Sequence, residues 1–188
     1  RAGYDPGQID GIFGWRTQAA LTRFQKDNGL APDGVAGRLT WAKLFPYLSG
    51  YTVHVIQRGD TLWKIANQYG TEVSAIETAN PGLDAGSLPI GAEVVVPLPF
   101  PVVSFEVRYT YAYVTLVLDG LGARYPFLRQ ETIGRSVLGR GIDAVQIGNG
   151  PKEVGYNAAH HANEWITTPV LLRYLERYAA AYASSGTI

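Results

Sequence analysis

The 188-residue chain contains no cysteine. That excludes disulfide staples, thiolate catalysis and any zinc site built on sulfur. It also has no excess of charge: 16 basic and 16 acidic residues give a formal net charge of zero, with the signs interspersed. Nucleic acid and anionic membranes reward a basic surplus, so neither is expected as the main partner. No uninterrupted apolar run is long enough to span a bilayer. Histidine is scarce, with His54, His160 and His161 alone, so a metal would have to rest on these with Asp or Glu. No leader-like segment is visible, but the first residue is Arg1 and not Met, and the natural N-terminus is expected upstream.

What is present falls into three textures. In residues 1–48, turn-rich stretches (Tyr4-Asp5-Pro6-Gly7, Asp33-Gly34) flank short helical patterns. A helix is expected over 16–27, with Ala19, Ala20, Leu21 and Phe24 on one stripe and Gly29 ending it; a second fits 39–48. Ser49-Gly50 marks a junction. Residues 51–55 then alternate as a strand. Asp60 or Thr61 caps a helix burying Leu62, Ile65, Ala66 and Tyr69, stopped by Gly70. A short helix at 72–79 and a strand at 93–97 complete a strand–helix–helix–strand unit. Alternate prolines in Pro97-Leu98-Pro99-Phe100-Pro101 favour a stiff, extended linker.

Beyond the linker, Val114, Leu118, Leu121 and Tyr125 share a helical face. Strands are expected at 128–133, 142–147 and 154–159, and a long helix from about Glu164 to Ala183, with Pro169 within or just beyond its first turn. Strands alternating with helices imply an α/β arrangement. The chemistry lies in Asn157-Ala158-Ala159-His160-His161-Ala162-Asn163-Glu164-Trp165-Ile166-Thr167. Imidazole and carboxylate both suit zinc, and a spacing of three brings His161 and Glu164 to one side if the second begins a helix. On these residues alone a second reading stays open: a helix-start Glu beside a solvated His. A catalytic zinc takes three protein ligands and a water, and this motif offers two. His54 lies in another module and does not readily complete the set.

The segment from about Tyr109 resembles the zinc carboxypeptidase (carboxypeptidase A-like) family. The resemblance is carried by Tyr125-Pro126, by Ile133-Gly134-Arg135-Ser136-Val137-Leu138-Gly139-Arg140, and by His161 and Glu164 followed by Trp165-Ile166-Thr167. It implies that His161 and Glu164 bind Zn2+, that His160 is a neighbour of the site, and that a zinc-activated water with a glutamate base does the chemistry. The family's third ligand and base lie downstream of Ile188, so this chain alone is expected to be inactive. Asn163 stands where many C-terminal-cutting members carry Arg, which bears on substrate choice.

Residues 1–45 resemble the three-helix peptidoglycan-binding domain through Asp10-Gly11-Ile12-Phe13-Gly14, Arg16-Thr17, Phe24-Gln25, Gly29-Leu30, Asp33-Gly34-Val35 and Thr40-Trp41. The domain's usual first helix would precede Arg1. Binding is implied at Asp10 and Phe13; Ile12, Phe24, Leu30 and Trp41 are expected in the core. Residues 51–98 resemble a LysM domain through Tyr51-Thr52-Val53, Gly59-Asp60-Thr61-Leu62-Trp63-Lys64-Ile65-Ala66, Asn80-Pro81 and Pro89-Ile90-Gly91. This implies a shallow groove for N-acetylglucosamine-containing glycans formed by Gly59, Asp60, Thr61, Leu62, Leu83 and Ile90, with Leu62 and Ile90 equally readable as core.

The expected architecture is multidomain: a small α-helical peptidoglycan-binding module (1–48), a βααβ LysM module (51–98), and the N-terminal part of an α/β zinc-peptidase domain (104–188). The resemblance implies a bacterial, extracellular enzyme, wall- or spore-associated, that hydrolyses peptidoglycan stem peptides as γ-D-glutamyl-diaminopimelate endopeptidases do. A non-catalytic wall-binding protein with a remnant peptidase segment is the alternative. A general protein-degrading carboxypeptidase fits the two front modules poorly.

Overall fold

The structure, a computed structural model, describes residues 1–161 and 163–185. It divides into two compact units, residues 1–49 and 50–188.

The first unit holds α1 (Trp15–Asp27) and α2 (Arg38–Ser49). Ala20, Leu21, Phe24 and Gln25 form the buried stripe of α1. The helix stops where the Asn28 side chain donates to the Phe24 carbonyl at 2.8 Å, and Gly29 adopts a left-handed φ of 69°. Phe24 meets Tyr4 and Tyr47 edge-on, with ring centres 5.4 and 6.4 Å apart. Gln25 is the polar hub. Its amide donates to Asp33 Oδ1, the Val35 carbonyl and Thr40 Oγ1, and its Oε1 accepts from the Gly34 N–H. Two core assignments are corrected: Ile12 is 71% and Trp41 53% exposed. Two helices share one seam, formed here by Phe24, Gln25, Thr40 and Tyr47, and neither residue lies on it.

The second unit opens with β1 (Tyr51–Val55), α3 (Leu62–Tyr69), α4 (Val73–Ala79) and β2 (Glu93–Pro97). The strands pair antiparallel from Tyr51↔Pro97 to Val55↔Glu93. Thr61 caps α3 by accepting from the Lys64 N–H, and Gly70 ends it in the left-handed region. Ile56, Leu62, Ile65, Ala66, Ile76, Val94 and Val96 close one core. Asn80 ties α4 to β2: its amide donates to the Val95 carbonyl at 2.7 Å, and its Oδ1 accepts from the Val95 N–H at 2.9 Å. A side chain that copies a strand edge satisfies backbone groups that burial would otherwise orphan.

Then come α5 (Tyr111–Arg124), the antiparallel pair β3 (Arg129–Arg135) and β4 (Gly141–Gln146), and α6 (Thr167–Ser185). Val102, Val103, Val117, Leu118, Leu121, Leu128, Leu172 and Ala179 form their core. Thr110 caps α5. The pairing of β3 with β4 shifts register between Thr132 and Gly134. The strand expected at 154–159 does not form. Val154 and Tyr156 stand 73% and 66% exposed, Gly155 interrupts them, and no described strand lies alongside to complete a ladder. The long helix starts at Thr167, not Glu164, which puts Pro169 in its first turn, fully buried. Among the described residues no helix is long and apolar enough to cross a membrane.

Candidate functional site

His161 and Glu164 sit in the turn that feeds α6. The Glu164 N–H bonds the His161 carbonyl, and the Thr167 N–H bonds that of Glu164. Thr167 Oγ1 donates to the Glu164 carbonyl and accepts from the Ala159 N–H, closing the loop on itself. Glu164 therefore precedes α6 by three residues, because these three-residue turns take the bonds a helix would have used. Ala159, at the loop's start, has φ 54°, unusual for a residue with a Cβ.

The spacing still brings the two side chains together: His161 Nδ1 lies 3.1 Å from Glu164 Oε1. Both are open to solvent, at 72% and 49% exposure. His160 stands beside His161 with its ring edge-on, centres 5.2 Å apart. The donor chemistry suits zinc, since an imidazole nitrogen and a carboxylate oxygen are adjacent and accessible. Nδ1 cannot both donate to Glu164 and ligate a metal, so binding through it would displace a proton. Among the described residues no group of three His, Asp or Glu that could hold a metal gathers here. Asn163 is exposed between them; Ala162 lies outside the described residues. A wider concavity of about 520 Å³, between α4, the proline-rich linker and α6, contains neither His161 nor Glu164.

His54 is committed elsewhere. It is buried, with Nε2 2.8 Å from Asp60 Oδ2 and Nδ1 3.2 Å from the Tyr69 hydroxyl. Asp60 Oδ2 also accepts from the Gln57 N–H. The His54 contact, then the Gln57 N–H, holds the Asp60 carboxyl below the usual carboxylate range. This carboxylate thus shapes the loop ahead of α3 from within. A depressed folded pKa contributes stability above the unfolded value, about 3.9, and loses it as pH falls through the folded value. Asp60→Asn is expected to lower the urea midpoint at about pH 7, with the gap to wild type narrower at about pH 3, below the unfolded value. An equal gap at both pH values would contradict the assignment.

The loops flanking the two strands of the βααβ module meet through their backbones. The Ile56 N–H bonds the Ala92 carbonyl, and the Gly91 N–H bonds that of Ile56. This ties the segment ahead of Gly59, Asp60 and Thr61 to the Pro89-Ile90-Gly91 turn. Leu62 is core at 4% exposure, and Leu83 packs half-buried on the same cluster. Ile90 is 69% exposed and free to touch a ligand, as is Trp63 at 69%. Trp63 was visible in the motif but lay outside the expected contact set.

In the first unit, Asp10 Oδ1 accepts from the Ile12 N–H, so this carboxylate also braces its own turn. Phe13 is 58% exposed. A shallow concavity of about 170 Å³ takes in Asp10, Ile12, Trp15 and Arg16 but not Phe13. Trp15 is 75% exposed, and the Arg16 guanidinium lies 5.2 Å from its ring centre. The signal for Trp15 was its place at the first turn of an otherwise polar helix start.

Residues 1–44 match the family described as "Putative peptidoglycan binding domain". Residues 54–97 match the LysM domain, and residues 114–188 the zinc carboxypeptidase family. Gamma-D-glutamyl-L-diamino acid endopeptidase 1 of Lysinibacillus sphaericus is 40% identical over 91 residues, 48% of this chain and 23% of its own length. A spore cortex-lytic enzyme of Oceanobacillus iheyensis is 35% identical over 94 residues, 46% of this chain and 34% of its own. The N-acetylmuramoyl-L-alanine amidase CwlM of Mycobacterium tuberculosis is 29% identical over 92 residues, 47% of this chain and 23% of its own. The chain thus spans about a third or less of each of these relatives. No solved structure matches it. Three stretches of the chain thus match, in this order, the peptidoglycan-binding, LysM and zinc carboxypeptidase families.

Proposed function

We propose that this chain is the wall-binding front and the opening part of the catalytic domain of an exported bacterial zinc metallopeptidase. Its substrate would be the peptidoglycan stem peptide, cut at a γ-D-glutamyl-diamino acid bond. The observation that carries the reading is the His161–Glu164 pair, 3.1 Å apart in the turn ahead of α6, within the residues that match zinc carboxypeptidases. The two modules ahead of it support a wall substrate, and the relative that cleaves gamma-D-glutamyl-L-diamino acid bonds supports the peptide. His161 and Glu164 would hold the metal, which supplies Lewis-acid polarisation and an activated water when bound. Ile90, Trp63, Leu83 and the Gly59–Thr61 loop would contact glycan, and Trp15, Phe13 and Asp10 would serve the first module. Two weak sites on one polymer reinforce each other through effective concentration.

The test is co-sedimentation with purified sacculi at about 0.15 M salt, where exposed charge is largely screened. The chain is expected to pellet, and Ile90→Asp to pellet less. A chain that stays in the supernatant would overturn the wall reading. For the metal, equilibrium dialysis of this chain with Zn2+ is expected to show weak binding or none, and His161→Ala is expected to abolish any uptake, with the fold unchanged because the side chain is exposed. Measurable zinc uptake, equal in wild type and His161→Ala, would remove the pair from the site. With no group of three metal-binding side chains among the described residues, the chain by itself is expected to leave stem peptides uncut. Release of peptide fragments from sacculi by this chain would disprove that.

A further inference from the structure

Linked domains ordinarily move relative to one another unless a substantial interface fixes them. The linker at 97–101 shows the opposite arrangement. Arg124, the last residue of α5, is 8% exposed and points its guanidinium into the backbone on both sides of the βααβ module. Its Nε and Nη2 donate to the Gly50 carbonyl at 3.0 and 2.6 Å, and Nη2 also donates to the Leu98 carbonyl and, at 2.8 Å, to the Phe100 carbonyl. One cation thus gathers the entry to β1 and the exit from β2. Gly50 has φ +81°, and a Cβ there would meet Val102 at 2.9 Å and the Arg124 guanidinium at 3.2 Å, so the chain passes as closely as a glycine permits.

The counterpart is Glu176 on α6, 5% exposed. Its carboxylate accepts from the Val102 N–H at 2.7 Å and the Val103 N–H at 3.3 Å, and pairs with Arg173 at 2.9 Å. Arg124 Nη1 lies 4.0 Å from it. A separate contact, from the Tyr51 hydroxyl to Asp119 Oδ2 at 3.2 Å, joins β1 to α5. These bonds of Arg124 all leave its own module, for Gly50 and the linker carbonyls of Leu98 and Phe100. Glu176 bonds Val102 and Val103 of the α5–α6 core and backs the Arg124 guanidinium from 4.0 Å.

We propose that Arg124, backed by Glu176, is a positioning residue: a buried clamp that fixes the LysM module against α5, which shares one core with α6, the helix that follows the His161–Glu164 loop. Glycan held by the module then presents its stem peptides at a set offset from the metal pair. The proposal rests on the function proposed above only for what the two sites bind; the clamp itself is tested separately.

The absence of cysteine allows paired spin labels at Gln68→Cys on α3 and Val170→Cys on α6, both exposed, with no background thiol. Double electron–electron resonance on the full 188-residue chain is expected to give one narrow distance. Arg124→Lys keeps the charge but lacks the planar fork, and is expected to broaden that distribution at least about twofold. Its sedimentation with sacculi is expected to match wild type. A broad distribution in the wild-type labels, or a narrow one unchanged in Arg124→Lys, would overturn the clamp. If Arg124→Lys fails to fold, the wild-type width still decides: narrow supports the clamp and broad refutes it. Loss of sacculus binding with a narrow distance would refute the ligand assignment and leave the clamp standing.

Discussion

Glu176→Leu is expected to destabilise the 50–185 unit by about 3–5 kcal/mol, the cost of removing one member of a buried charge pair. The reason lies in what it leaves behind. The Val102 and Val103 N–H groups, at 0% and 3% exposure, lose their acceptor, and the buried Arg124 guanidinium loses the carboxylate 4.0 Å from it. Glu176→Gln keeps an acceptor oxygen for Val102 and is expected to cost roughly half as much. Urea midpoints followed by amide signals from residues 50–185 measure both. A Leu variant as stable as wild type would mean the carboxylate is no more than tolerated there.

The second large effect is expected in the first unit. Gln25→Leu keeps the volume and deletes four hydrogen bonds of a residue 1% exposed. The Gly34 N–H is left without its acceptor in a buried place, and Thr40 and Asp33 lose a donor. One or two such losses cost about 2–3 kcal/mol. A unit of 49 residues has a total stability of roughly 2–7 kcal/mol, so this substitution consumes much of it. The Asp33 carboxyl, held low first by the Val35 N–H and then by the Gln25 amide, should titrate closer to the ordinary value in the variant. Amide signals of residues 1–49 collapsing at lower urea, with those of 50–185 unmoved, is the expected pattern. An unchanged midpoint for 1–49 would show that the loop stands without the hub.

These two sites mark where the sequence stopped being readable. Local devices were legible: Thr61 caps α3, Gly70 stops it and Gly29 follows α1, each acting within a few residues of chain. The apolar stripes of α3 and α5 were legible because burial follows helical period, and that of α1 was so except at Ala19, which stands exposed. Arg124 and Glu176 were not, since their partners lie up to 74 residues away and nothing in a local window announces them. Alternation at 154–159 misled, because a strand needs a neighbour as well as a pattern. At the candidate metal site, the spacing of three told truly that His161 and Glu164 meet. It did not tell that Thr167 would draw Glu164 into a turn ahead of the helix. Asp60 and Asp10 were read as ligand contacts from their place in motif loops, while the structure uses both carboxylates to hold those loops in shape.

The β3–β4 hairpin has one further implication. Among the described residues each of its strands pairs only with the other, so both outer margins carry open amide and carbonyl groups. Ile133, Val137, Leu138 and Ile142 lie exposed along it. Such a ribbon is a template for another chain's backbone. The charges at Arg129, Glu131, Arg135, Arg140 and Asp143 act as its guard, and with zero net charge the molecule has little long-range repulsion to help them. High salt, which weakens that guard, is the condition under which this protein should self-associate first.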